Sequence, residues 1–310
     1  EKNYDIFWEN EVKNFLKELG FSEVYNYSFI GEEDLKIFGY NKNEVLELEN
    51  PLSKEFKYLR PSLIPNLLKD VKENFKYFGK VKIFELAKVF SKNKTKKETA
   101  IEEKRKLSGL IAQKDDNEEN FYRLKGDIDS LFNKLGISDI WYDNYQQTPE
   151  ESKLAVWNLD KSAEIKVGNE EIGFLGEVSS LILKNLGISG KAVLFDIDFE
   201  ELIKLASEEQ EYRPISQYPA AIRDLSVLTP AETKVVDVLN KINAIGGPLI
   251  RDIDLFDIYE GEELPGSKKN LAFHIVYQAK NRTLASEEID KIQNKIIREL
   301  EKDPEWEVRK

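Results

Sequence analysis

The chain has one histidine, His274, and no cysteine. Thiol nucleophiles, disulfides and zinc thiolate sites are thereby excluded. No second catalytic group can be assigned to His274, so general acid–base work is unsupported and it reads as a surface residue. The residues whose types combine into a chemistry are Ser226, Asp257, Tyr259 and Asn270: a hydroxyl, a carboxylate, an aromatic ring and an amide. Such a set can read an unstacked base, because the ring stacks on the base face while the polar groups meet its edges. The reading requires all four on one surface, which depends on the elements that carry them.

Hydrophobic periodicity predicts strands over Ile222 to Leu228, Leu249 to Tyr259 and Asn270 to Tyr277, with a short one at Trp306 to Arg309. Helices are predicted over Lys234 to Ile245, closed by Gly246 and Gly247, and over Ser286 to Lys302, with Ile289, Ile292, Ile296 and Leu300 on one face. The order β-α-β-β-α-β is the ferredoxin-like pattern, with both helices on one side of a four-stranded sheet. Strand side chains alternate between sides. Placing Leu271, Phe273, Ile275 and Tyr277 under the helices leaves Asn270, Ala272 and His274 on the open side. Leu225 and Val227 inward leave Asp224 and Ser226 outward, and Phe256 and Ile258 inward leave Leu255, Asp257 and Tyr259 outward. A solvated sheet face carries the same residue types, so residue type alone leaves both readings open.

Upstream, a helix is predicted over Glu9 to Leu19, stopped by Gly20 and feeding a strand Val24 to Ile30, then a helix Asn66 to Phe78 and a strand Val81 to Phe90. A basic segment, Ser91 to Lys106, reads as a solvated hairpin tip. Strands at Leu107 to Ala112 and Ile165 to Val178, a helix Leu124 to Leu135, a strand Val193 to Ile197 and a helix Phe199 to Ala206 follow. The fold class is α+β: a mostly antiparallel sheet domain over residues 1–206, a linker at 207–217 around Pro214, and the ferredoxin-like domain at 218–310.

Length and a 41% hydrophobic content suffice for two cores. No apolar run is long enough to span a bilayer and no signal peptide opens the chain, so it reads as cytosolic. The absence of Met and an opening on Glu1 point to an excised piece or to modified residues left unwritten, and the sequence leaves both open. The net charge of −12 argues against a strong nonspecific grip on polyanions. Residues 217–310 hold 14 Lys plus Arg against 17 Asp plus Glu, so the terminal part is the less acidic one. Lys268, Lys269, Lys280 and Arg282, in or beside loops, are the candidate phosphate contacts, and His274 on the open side is a further candidate RNA contact.

Tyr218-Pro-Ala-Ala-Ile-Arg-Asp-Leu225, Leu255-Phe-Asp-Ile-Tyr-Glu-Gly261, Leu264-Pro265, Lys268-Lys-Asn-Leu-Ala-Phe273 and Arg282-Thr-Leu284 resemble the ferredoxin-like anticodon-binding domain of bacterial phenylalanyl-tRNA synthetase β subunits. In that family the positions of Ser226, Asp257, Tyr259 and Asn270 contact anticodon bases, with Ser where this chain has Asn270. Gly20-Phe-Ser-Glu-Val-Tyr-Asn-Tyr-Ser-Phe29, Asn50-Pro-Leu-Ser53 and Leu59-Arg-Pro-Ser-Leu-Ile-Pro65 resemble the catalytic-like domain of the same subunit, a relative of the class II synthetase fold. The two resemblances cover nearly the whole chain, as a C-terminal part of such a subunit.

A working class II site holds the ATP phosphates and adenine with an Arg and an acid on its second motif, and closes with a Gly-rich third motif ending in Arg. Here Ser91 and Asn93 align with the Arg and Glu of the second motif, and Asp196, Asp198 and Glu201 with the glycines and Arg of the third. Carboxylates where a guanidinium should clamp a triphosphate would repel it. The resemblance therefore implies a fragment without catalytic residues, cofactor or metal of its own. It implies phenylalanine tRNA and a catalytic α subunit as partners in an (αβ)2 heterotetramer that uses ATP and Mg2+, with the editing site upstream of Glu1. Two rival readings are an independent ATP-using class II enzyme and a ferredoxin-like small-molecule regulatory module.

Overall fold

Asn3 accepts hydrogen bonds from the backbone N–H groups of Asp5 and Ile6, and this cap starts helix α1 (Tyr4–Glu18). The helix begins before the predicted Glu9 because the cap, and not the first apolar pair, sets its start. The computed structural model describes residues 3–92, 101–115, 119–145, 155–168, 170–208, 216–261, 264 and 267–309. The chain folds as two units, residues 1–211 and 212–310.

The first unit is built on a sheet of seven strands: β1 (Ser22–Glu23), β4 (Lys80–Lys92), β5 (Ile101–Gln113), β6 (Ile140–Asn144), β7 (Trp157–Val167), β8 (Glu170–Val178) and β9 (Lys191–Asp198). Their order is β1-β4-β5-β9-β8-β7-β6, antiparallel except for the parallel β1–β4 pair. A two-stranded ribbon, β2 (Phe29–Ile30) with β3 (Tyr58–Leu59), falls between β1 and β4 in sequence. The helices α2 (Glu32–Phe38), α3 (Ile64–Asn74), α4 (Glu119–Lys134), α5 (Ser180–Leu186) and α6 (Phe199–Leu205) complete the unit.

Alternation in the central strands feeds two cores. Leu107, Ile111, Val193, Phe195 and Ile197 pack with residues of α1, α4 and α6. Leu110, Ala112, Ala192 and Leu194 pack with residues of α3 and α5. A sheet covered on both faces needs apolar residues at successive positions, which explains the unbroken run Val193 to Phe195.

Three expectations change here. The predicted strand Val24 to Ile30 survives only at its C-terminal end, since Asn26 turns its backbone N–H and carboxamide to Glu85. The span Ile165 to Val178 is a hairpin of β7 and β8, reversing at Gly168 with φ 58°, a conformation that favours glycine. The described ends of the solvated tip predicted over Ser91 to Lys106 are strand, because β4 continues to Lys92 and β5 starts at Ile101. Residues 93–100, Asn93 among them, lie outside the described residues.

The second unit contains β10 (Ala221–Pro230), α7 (Val235–Gly246), β11 (Ile250–Tyr259), β12 (Lys268–Tyr277), α8 (Ser286–Leu300) and β13 (Glu307–Arg309). The sheet order is β11-β12-β10-β13, antiparallel throughout. Leu225, Val227, Phe273 and Ile275 form the core with Val238 and Ile242 of α7 and Ile289 and Ile296 of α8. Both helices therefore bury one side of the sheet, and the opposite side is free of them.

Candidate nucleic-acid interface

Register decides which side chains share the open side, because directly opposed residues of antiparallel strands face the same way. Asp257 on β11 is opposite Ala272 on β12, which is opposite Ser226 on β10, which is opposite Arg309 on β13. The neighbouring row carries Tyr259 opposite Asn270. A 2.7 Å hydrogen bond from the Ser226 hydroxyl to Asn270 Oδ1 links the two rows. Asp257 and Tyr259 are exposed, and Ser226 and Asn270 are half-buried. The four residues singled out by type are thus brought together, with the small Ala272 between them.

The strand carrying Asp257 does not alternate as predicted. Leu255 pairs with Phe273 and Asp257 with Ala272, so Phe256 is an extra residue without an opposite partner. That β-bulge resets the alternation. Leu255, predicted outward, packs against the core, whereas Phe256, predicted inward, is 48% exposed and stacks on His274. Their ring centroids lie 3.9 Å apart at 13° between planes. His274 Nδ1 sits 2.7 Å from Asp224 Oδ1, and Asp254 stands opposite on β11. His274 is on the open side, as alternation on β12 requires.

The proposed cations separate into two groups. Lys268 and Lys269 start β12 next to Asn270, although the Lys268 ammonium donates to the Glu305 carbonyl at 3.1 Å. Arg282 follows the other end of β12, which closes at Tyr277, seven residues and roughly 23 Å from Asn270 at ~3.3 Å per residue. It is bound in a two-pronged pair to Glu288, at 2.6 and 2.5 Å. Arg282 is thus not brought beside Asn270, and its guanidinium already holds a carboxylate. Sequence reasoning misses Arg309. It lies in the row of Ser226, and only the β10–β13 register reveals this.

In the first unit, Glu85, Ser108 and Asp196 form one row across β4, β5 and β9. Asp196 accepts from the Ser108 hydroxyl, and the Lys106 ammonium is 4.0 Å from Asp196 and 3.8 Å from Asp198. Asp198 caps α6 by accepting from the N–H groups of Glu200 and Glu201 at 3.1 and 3.3 Å. Glu201 is paired with Lys204 at 2.7 Å, and Ser91 is an exposed strand residue opposite Glu102. The guanidinium that meets this row, Arg60, is 2% exposed and spent on Glu85 at 2.9 Å, with its Nε donating to the Lys88 carbonyl. Asn26 also donates to Asp70, whose carboxyl is pushed above the usual aspartate range by burial, with the nearby Glu85 charge adding to the rise. Among the described residues, the side chains of this row do not fit a triphosphate: the carboxylates have structural partners and the buried guanidinium is taken.

The first unit, a seven-stranded, largely antiparallel sheet clad by helices, and the second, a β-α-β-β-α-β unit with an open polar face, are both of the α+β class. Among solved structures, a pyrrolysyl-tRNA synthetase of Desulfitobacterium hafniense superimposes with a TM-score of 0.52, covering 66% of this chain and 70% of that one. At 18% identity this concerns the fold alone.

Residues 2–199 match the family described as phenylalanyl tRNA synthetase beta chain CLM domain, and residues 216–309 match the ferredoxin-fold anticodon binding domain. The chain belongs to the phenylalanyl-tRNA synthetase β chain family. It is 30% identical over 300 residues to the phenylalanine–tRNA ligase β subunit of Thermotoga maritima, covering 96% of this chain and 37% of that protein. Its identity to the β subunit of Fusobacterium nucleatum is 31% over 320 residues, covering 100% of this chain and 39% of that protein. The chain thus spans well under half the length of these relatives.

Proposed function

We propose that the chain is a noncatalytic, tRNA-recognising part of a phenylalanine–tRNA ligase. The observation that carries this reading is the single open face bearing Ser226, Asp257, Tyr259 and Asn270, within the segment matched to an anticodon-binding domain. Tyr259 stacks on an unpaired anticodon base, the Asp257 carboxylate accepts from a donor-bearing base edge, and the bonded Ser226–Asn270 pair offers a fixed donor–acceptor set. Lys268 and Arg309 meet phosphates at the rim, whereas Lys269, opposite the buried Thr229, alternates to the other side. The proposed division is a synthetase-like domain at 1–206, a linker at 207–217 and a ferredoxin-like domain at 218–310.

The synthetase-like domain is a partner surface rather than a second active site, because its acidic row disfavours ATP. ATP and Mg2+ are used by an α subunit in a cytoplasmic (αβ)2 assembly. In the described residues no helix is long and apolar enough to cross a membrane.

The test compares wild type, Asp257→Ala and Tyr259→Ala in the complete α and β complex at fixed salt. Tyr259→Ala is expected to lower kcat/KM for phenylalanine tRNA by about 1–3 kcal/mol, the usual worth of one base stack, while ATP-driven phenylalanine adenylation is unchanged. Both variants should lose much less against anticodon-altered tRNA. Equal losses in the two reactions, or none in either, would overturn the recognition role.

A further inference from the structure

We propose that the Phe256–His274 stack, oriented by Asp224, is a second base-stacking platform, taking a nucleobase two nucleotides along the strand from the one on Tyr259. The proposal rests on the anticodon reading above, brings Phe256 and Asp224 into it, and gives His274 a stacking role.

Three observations carry it. First, the bulge at Phe256 turns a large apolar ring out of the helix-covered side, leaving it 48% exposed on the open face. Bulges re-aim side chains in this way, and an apolar ring held in water invites a flat apolar partner. Second, the two rings already lie parallel at 3.9 Å, and the Asp224 carboxylate 2.7 Å from Nδ1 fixes the imidazole plane. The pair is a rigid stack that a base extends as a third layer, with little side-chain entropy left to lose.

Third, the spacing fits. His274 is four residues from Asn270 on β12, roughly 13 Å at ~3.3 Å per residue. An unstacked strand advancing about twice the 3.4 Å rise of stacked nucleotides covers that distance in two steps. The row between, with Asp257, Ala272 and Ser226, then faces the middle nucleotide. Charge selects which part of the nucleotide enters: Asp224 and Asp254 flank His274 and repel a phosphate, whereas their oxygens accept from the N–H groups of a base edge.

The experiment titrates the complete α and β complex at low salt with a fluorescent anticodon stem-loop of phenylalanine tRNA, and with RNAs made abasic at one loop position at a time. Wild type, Tyr259→Ala, Phe256→Leu and Phe256→Tyr are compared. Leu keeps the apolar bulk and Tyr keeps the ring, so loss of fold does not imitate loss of stacking. Phe256→Leu is expected to bind the intact loop about 5- to 100-fold more weakly, with Phe256→Tyr near wild type. The Phe256→Leu loss should vanish at one abasic position, two nucleotides from the position that silences Tyr259→Ala.

Wild-type binding by Phe256→Leu, an equal loss against every abasic RNA, or silencing at the same position as Tyr259→Ala overturns the second platform. If Tyr259→Ala still couples to one position, the anticodon reading stands without it. If wild type fails to bind, or neither variant couples, both fall.

Discussion

Replacing Arg60 by Met is expected to cost the first unit about 3–5 kcal/mol, the penalty for leaving one member of a buried ion pair without its partner. The structure sets the size. Arg60 and Glu85 are 2% and 1% exposed, the Nη1–Oε1 distance is 2.9 Å, and the Arg60 Nε donates at 3.2 Å to the Lys88 carbonyl. In the variant Glu85 keeps only its two 3.1 Å bonds from Asn26, too few to solvate a carboxylate shut away from water. The assay is urea unfolding followed by tryptophan fluorescence, since Trp8, Trp141 and Trp157 lie in the first unit and only Trp306 in the second. With a slope of about 2.5 kcal/mol/M, the first-unit midpoint should fall by about 1–2 M. The double variant Arg60→Met, Glu85→Leu should recover much of the loss, because no lone charge remains. A single-variant loss below about 1 kcal/mol, or a double variant worse than the single, would refute the assignment of Arg60 as Glu85's required counter-charge.

Asp198→Ala should cost about 1 kcal/mol in the same urea curve, because it removes the cap accepting from Glu200 and Glu201; an unchanged curve would deny that role. Asp70 has a raised folded-state pKa, so the folded state holds its proton more tightly than the unfolded chain, and the stability this contributes is present at low pH and lost as pH rises through the folded value. Asp70→Asn should therefore raise the urea midpoint at neutral pH, with the gain shrinking as pH falls into the ordinary aspartate range; a gain that grows on acidification would reverse the sign argued. A Cβ on Gly261 would stand 2.6 Å from Cζ of the Tyr259 ring, the mobile end of an exposed side chain. Gly261→Ala should thus leave stability within about 0.5 kcal/mol while weakening RNA binding nearly as much as Tyr259→Ala, and intact binding would argue against the observed ring position.

Much of this molecule is legible along the chain. Alternation on β12 separates Phe273 and Ile275 from Asn270 and His274, and the apolar stripe Ile289, Ile296 and Leu300 identifies α8, because both patterns are local consequences of burying one side. The four residue types that suit a base are equally visible, as is the acidic character at Asp196, Asp198 and Glu201. What only tertiary structure decided is pairing. The bulge that exchanges Leu255 for Phe256 exists because β12 fixes the partners on either side of it, a relation between segments that no single-strand pattern encodes. The placing of Arg309 beside Ser226 and the turn of Asn26 toward Glu85 have the same origin. Local periodicity determines which way a side chain leans, whereas register between strands distant in sequence determines what it meets.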